Sequence, residues 1–124
     1  MKFTTLYIDS ENVSHFRDDQ SAFKKVNFAP PAPPVGLTEF IDVSKMVFFQ
    51  LPSGWFGDWH PAPKRQFFCC LKGKLEITSG DGEIRKFNPG DVFLLEDIKG
   101  RGHVTRVIGE EEFLAAVVQL AAKP

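Results

Sequence analysis

Little in this 124-residue sequence points to a charged partner: 15 Lys plus Arg stand against 16 Asp plus Glu, a formal net charge of −1. With no excess of positive charge to neutralise phosphates or hold an anionic surface, neither nucleic acid nor a membrane is expected as a partner. Long apolar runs are missing as well. Nowhere do about 18 uncharged apolar residues follow one another, and Met1-Lys2-Phe3-Thr4-Thr5-Leu6 lacks the unbroken apolar stretch of an export signal. The expectation is a soluble protein of the cytoplasm. Cysteine is scarce, and the two present, Cys69 and Cys70, are neighbours. Adjacent residues of a strand point to opposite faces, so a bridge between them is strained and two reduced thiols are expected. Both lie in the apolar run Gln66-Phe67-Phe68-Cys69-Cys70-Leu71, where a thiolate loses its hydration, so packing is preferred to reactivity. No internal repeat is visible.

What the chain does have is large apolar surface: 43% hydrophobic residues, with 13 Phe and two Trp. That is enough to fill a barrel interior or line a ligand cavity. The length suits one domain closing its own core without metal or disulfide staples. We read residues 1–124 as that single domain, with an N-terminal β arm over 1–34 and a barrel over 35–124.

Strand signals dominate. Lys2 to Ile8, Phe23 to Phe28, Met46 to Leu51, Gln66 to Lys72, Leu75 to Thr78, Ile84 to Phe87, Val92 to Leu95 and His103 to Ile108 are short aromatic and branched runs. Each is bounded by Gly, Pro, Asp or Ser, the pattern of an all-β sandwich or barrel. Ser79-Gly80-Asp81-Gly82 reads as a tight hairpin turn, and Asn88-Pro89-Gly90-Asp91 as a second turn. Phe113 to Leu120 fits a helix by its alanines or a strand by its paired valines. The strand is favoured because it covers an otherwise open sheet edge. Ser10 to Ala22 is polar and reads as a short turn or helix. Ala29-Pro30-Pro31-Ala32-Pro33-Pro34 reads as an extended, stiff connector from arm to barrel, in preference to a proline-rich ligand for an SH3 module.

The informative stretch runs from Gly54 to His103. Five residues separate Gly54 from His60, Ala62 lies two further on, Gln66 follows, and six residues separate Gln66 from Gly73. Pro89-Gly90-Asp91 then opens the strand Val92 to Leu95, and the loop from Glu96 to Gly102 leads to His103. These two segments resemble the paired motifs of the cupin superfamily: a Gly, a His-x-His pair, a Glu and a Gly, then a Pro-Gly-Asp turn, a strand and a His. The resemblance implies an all-β, cupin-type double-stranded β-helix, or jelly-roll barrel. It departs from the family at Ala62, which replaces the second His, and at Gln66, which replaces the Glu. Glu96 stands where a proline is usual, and His103 arrives two residues late.

Alternate residues of a strand face one side, so His60, Ala62 and Gln66 share a lining, and a later strand brings His103 opposite them. Typical cupins hold a divalent metal on three His and one Glu. Here His60, Gln66 and His103 remain as conditional ligands for Ni, Fe, Mn or Zn, a set below that of ordinary zinc sites. No organic cofactor is expected. Without metal, His60 and His103 serve as acid and base, with Gln66 orienting the substrate. Glu96 and Asp97 are candidates to orient an imidazole or supply a second acid. Trp55, Trp59 and Phe68 are candidate ligand-stacking residues, and Arg101 a candidate anion clamp; Arg65 is read as an exposed loop arginine or a second anion contact.

Three functions are weighed. The first is a small cupin that isomerises, dehydrates or cyclises a small polar metabolite by His acid/base chemistry. The second is a metal-dependent, dioxygenase-like cupin, and the third a non-catalytic ligand-binding or sensor module. The depleted donor set shifts weight from the second to the first. Because cupins commonly pair through their sheets, and apolar residues are frequent from Phe3 to Phe28, a homodimer is expected.

Overall fold

A computed structural model describes residues 1–122. Twelve strands are described: β1 (Lys2–Ile8), β2 (Ser14–Gln20), β3 (Lys24–Val26), β4 (Val35–Leu37), β5 (Val43–Leu51), β6 (Phe56–His60), β7 (Gln66–Lys72), β8 (Lys74–Thr78), β9 (Ile84–Phe87), β10 (Val92–Leu95), β11 (His103–Ile108) and β12 (Phe113–Leu120). They form a six-stranded sheet in the order β2-β1-β10-β7-β12-β5, a four-stranded sheet in the order β6-β11-β8-β9, and the isolated hairpin β3-β4. Successive strands from β5 onward are dealt between the two sheets so that β5, β12, β7 and β10 face β6, β11, β8 and β9. Two interlocked Greek keys of this kind are a jelly roll, the fold that the resemblance implies. No helix among the described residues is long and apolar enough to cross a membrane.

The period-two rule accounts for the core. Along β7, Gln66, Phe68 and Cys70 are buried while Phe67, Cys69 and Leu71 face outward; along β12, Phe113, Ala115 and Val117 are buried. Between the sheets the Phe68 and Phe93 rings stack at 4.8 Å, and Phe87 meets Phe93 at 4.6 Å. The thiols take opposite faces, and burial pushes Cys70 up to about 12 and raises Cys69 as well.

Three expectations need correction. Ser10 to Ala22 is neither turn nor helix over most of its length: β2 pairs with β1 along its whole length, from Lys2↔Gln20 to Ile8↔Ser14. Its polar composition belongs to an edge strand with one wet face, while Ser14 and Phe16 point into the core. The proline-rich segment is not extended. The Ala32 N–H donates to the Ala29 carbonyl at 2.9 Å, closing a turn at the tip of the β3-β4 hairpin, which stands exposed. Proline's fixed φ suits turns as well as extended chain. The strand expected over Phe23 to Phe28 shortens to β3, and β4 and β6, each of at most five residues, carry too little pattern to be read from sequence.

No sheet boundary falls at residue 34, because β1 runs parallel to β10 with Thr4↔Phe93 and Leu6↔Leu95 in register. The β1-β2 hairpin is clamped to the β8-β9 turn by His15. Its Nε2 lies 2.7 Å from Asp9 Oδ2 and its Nδ1 lies 3.0 Å from Asp81 Oδ2. The hydrogen bond to Asp9, then that to Asp81, raises the imidazole above its ordinary 6.5. His15 holds Asp9 below 3.8, while the Ser79 hydroxyl, ahead of His15, does so for Asp81.

A raised imidazole stabilises fully below pH 6.5 and loses that contribution as pH rises through its folded value. The lowered carboxylates contribute fully above pH 3.8 and lose it as pH falls through theirs. The clamp is therefore strongest between pH 3.8 and 6.5. Thermal melts at a series of pH values should show His15→Gln losing most Tm inside that window and least above it. An equal loss at every pH would leave His15 a packing residue only.

Candidate functional site

His60 ends β6 and His103 begins β11, and the antiparallel register pairs them directly. Their ring centroids are 4.6 Å apart with planes tilted by 55°. This approach depends on Gly102, whose φ is +80° and where any Cβ would overlap the His60 carbonyl oxygen. A second tie fixes the same corner: the Ala62 N–H donates to the Asp97 carbonyl at 3.0 Å, joining the loop after β6 to the loop after β10.

Each imidazole has its Nδ1 engaged. His60 Nδ1 lies 2.6 Å from the Asp58 carbonyl oxygen, which only accepts, so Nδ1 is the donor there and Nε2 is the nitrogen left for the cavity. His103 Nδ1 lies 2.5 Å from Asp97 Oδ2, again leaving Nε2 without a partner among the described residues. Asp97 has no exposed surface, His103 only 2%, and Asp97 Oδ1 is buried without any hydrogen-bond partner. The orphaned oxygen costs about 1–3 kcal/mol, which the rest of the fold must offset.

Both histidines line a cavity of about 230 Å³ inside the roll. Gln66 lines it as well, with its Oε1 accepting from Gln119 Nε2 at 3.3 Å, so its own amide N–H groups are left for the cavity. Thr105, two residues beyond His103 on the same face of β11, adds a hydroxyl. Apart from these groups the walls are apolar, including Phe68, Leu75, Ile77, Phe93 and Leu95. No Arg, Lys, Asp or Glu is among the lining residues.

The structure thus brings together His60, Gln66, His103, Phe68 and Trp55 among the residues singled out from sequence. Trp59 and Arg101 are not brought to the cavity. Trp59 neighbours His60 on β6 and points the other way, and the Arg101 guanidinium lies 3.6 Å from its ring centroid in a cation–π contact outside. Arg65 and Glu96 neutralise each other, with Nη2 to Oε2 at 2.6 Å, so Glu96 orients no imidazole. Asp97 does. The further lining residues Phe49, Leu51, Phe93, Leu95 and Thr105 share strand parity with buried neighbours, a signal present in the sequence once each strand's inward face is known.

The divalent metal implied by the resemblance does not fit these residues. Ala62 supplies no donor, and Gln66 offers a neutral amide oxygen, already accepting one amide proton at 3.3 Å, in place of a charged carboxylate. Two imidazoles remain, with no carboxylate in the lining to balance a dication, and no metal-ligating cluster of three His, Cys, Asp or Glu occurs among the described residues.

No family model and no curated protein matches the chain. Among solved structures it is similar to a cupin superfamily protein from Desulfitobacterium hafniense, at 16% identity and a TM-score of 0.48 over 68% of this chain and 73% of that one. It is likewise similar to a Cupin 2 conserved barrel domain protein from Salinispora arenicola, at 18% identity and a TM-score of 0.49 over 94% and 82%. The cupin domain of Schizosaccharomyces pombe Cnp3 gives 18% identity and a TM-score of 0.48 over 98% and 83%.

Two stability measurements check this geometry. Replacing His103→Leu strands a buried carboxylate and should cost about 3 kcal/mol or more in urea unfolding, whereas Asp97→Leu with His103→Leu should cost much less than the two single changes summed. Additive losses would mean that the two side chains do not interact. Gly102→Ala should lower stability by about 2 kcal/mol or more, because a left-handed φ and a backbone overlap coincide there.

Proposed function

We propose that the chain binds one small, uncharged, mostly apolar molecule in the roll and moves a proton on it with His60 and His103. The observation that carries this reading is the buried Asp97–His103 couple facing His60 across a cavity without charged walls. A cavity of about 150 Å³ lined by Leu, Ile and Phe takes benzene, so about 230 Å³ suits one ring with a short polar substituent. An anionic metabolite would meet no cation there. This ligand class is less polar than the sequence alone suggested, and neither nucleic acid nor a membrane enters the reading.

The chemistry follows from the free atoms. One Nε2 takes a proton from a C–H next to an oxygen-bearing carbon; the electron pair moves into a new C=C bond, and negative charge grows on the oxygen. The Gln66 amide N–H groups and the Thr105 hydroxyl are the donors for that oxygen. Asp97 stabilises the imidazolium formed at His103, which hands the abstracted proton from its Nε2 to the His60 Nε2 within ring contact, and His60 delivers that same proton at a second atom of the molecule. Isomerisation, dehydration and cyclisation of a neutral carbonyl compound all share this step. The same reading places the protein in a reducing compartment such as the cytoplasm, where unpaired Cys69 and Cys70 persist. It also pairs two copies of the chain, since Phe40, Phe48, Leu71 and the hairpin residues Phe23 and Phe28 are exposed.

Cyclohexanone and cyclohexanecarboxylate form a matched pair of probes of similar size. Cyclohexanone should raise Tm and the carboxylate should not. In D₂O, NMR should show deuterium washing into the α positions of cyclohexanone faster than in buffer. His103→Gln and His60→Gln should each slow that exchange by about 100-fold or more while binding persists. Binding without exchange would reduce the protein to a ligand-binding module; preference for the carboxylate would overturn the reading.

A further inference from the structure

We infer that Trp55 fixes how large a molecule the cavity admits, and that Gly57 is the seat on which its indole rests. This depends on the ligand-binding reading above and names what limits the ligand. Of the residues lining the cavity, only Phe49, Trp55, His60 and Pro63 keep exposed surface, so these four frame its opening. Three of them have little freedom. The His60 ring is tied to the Asp58 carbonyl, the Phe49 ring meets Phe68 edge-on at 5.2 Å, and Pro63 is a closed ring. Trp55 is the fourth and the largest.

A bulge in β6 aims the indole. The Val107 N–H donates to the Trp55 carbonyl at 2.9 Å, Gly57 pairs with Thr105, and His60 pairs with His103, so that Asp58 and Trp59 together oppose the single residue Val104. The extra residue lets both Gly57 and His60 turn to the inner face, where His103, Thr105 and Val107 are buried. Trp55, two residues before Gly57, shares that face. The backbone at Gly57 does not call for glycine, since its φ is not positive, and glycine weakens the interior of a strand. Space calls for it. A Cβ there would lie 2.4 Å from Trp55 Cη2, 2.7 Å from Trp55 Cζ3 and 3.1 Å from His60 Cε1. The far edge of the indole therefore fills the volume of the missing side chain and lies against the inner wall beside the His60 ring. A guest that reaches His60 shares that space with the indole. One six-membered ring is accommodated, whereas a second ring fused to it would need the volume that Cη2 and Cζ3 occupy.

Calorimetric titration with cyclohexanone and with decalone, its fused two-ring analogue, reads this filter by binding alone, apart from any proton transfer. Wild-type protein should bind cyclohexanone at least about tenfold more tightly than decalone. Trp55→Ala, which removes the indole, and Trp55→Phe, whose shorter ring does not reach Gly57, should each bring the two affinities level or reverse them. Circular dichroism confirms folding, and Trp55→Phe carries the test where Trp55→Ala does not fold. The seat is checked without a ligand. Gly57→Ala should lower Tm in otherwise wild-type protein and lower it much less in the Trp55→Phe background, where the clashing atoms are gone. An equal loss in both backgrounds would overturn the seat. An unchanged preference in the Trp55 variants, with cyclohexanone still bound, would overturn the filter alone. Failure of both ketones to bind any of these proteins would overturn the ligand-binding reading and the filter with it.

Discussion

A carboxylate with no exposed surface, 2.5 Å from an imidazole, is the interaction on which the interior of this protein turns. Removing a charge from water costs several kcal/mol even after relaxation, and one hydrogen bond with one oxygen left unpaired is poor compensation. The local loop does not gain from it; two apolar side chains of similar volume would pack there at less cost. What the couple does achieve is to lock one face of His103 so that Nε2 is the atom presented to the cavity. His60, tied through Nδ1 to a backbone carbonyl, is locked in the same sense. Two rings with the same nitrogen free, at contact distance, are the arrangement on which the proposed proton transfer rests.

The backbone around this pair is arranged to keep it in place. Gly102 allows the β11 entry to press on the His60 carbonyl, and the Ala62 to Asp97 bond draws the opposite loop inward. Arg65 and Glu96 close the same rim as an ion pair, which removes both charges from contention for the ligand. The cavity owes its neutrality to these choices as much as to its phenylalanines. A dication on the two imidazoles would find no balancing negative charge in the lining, whereas a neutral molecule loses little hydration on entering.

Much of this was legible in the chain. The runs Gln66 to Lys72, His103 to Ile108 and Phe113 to Leu120 have the bounds expected because their alternation reports a half-buried strand, and Ile84 to Phe87 and Val92 to Leu95 because the turns that flank them do. The convergence of His60, Gln66 and His103 was signalled by the two motif-like segments and not by parity along one strand, because His60 ends β6 in one sheet, Ala62 lies in the loop after it, and Gln66 begins β7 in the other sheet. β2 escaped because an edge strand with a wet face carries as many polar residues as a loop. The prolines misled because fixed φ is compatible with a turn as well as with extended chain. Trp59 and Arg101 were placed near the site by proximity in sequence, which the period of a strand contradicts for any immediate neighbour of an inward residue. Asp97 was recognisable as a candidate, but Glu96 beside it had an equal claim until Arg65 was seen to satisfy it.

A cavity is itself a cost. At roughly 24 cal/mol per Å³, about 230 Å³ of poorly filled interior corresponds to at most on the order of 5 kcal/mol, comparable with the whole net stability of many small domains. Larger side chains at Ala62 or Thr105 would close the space. Small residues at such positions, together with an unpaired buried carboxylate oxygen, mean that stability has been given up twice at one spot, on the two sides of the same imidazole. Packing accidents would be scattered through the core. Two adjacent concessions converging on a pair of imidazoles are what the proposed binding site requires: space for a guest, and ring nitrogens within its reach.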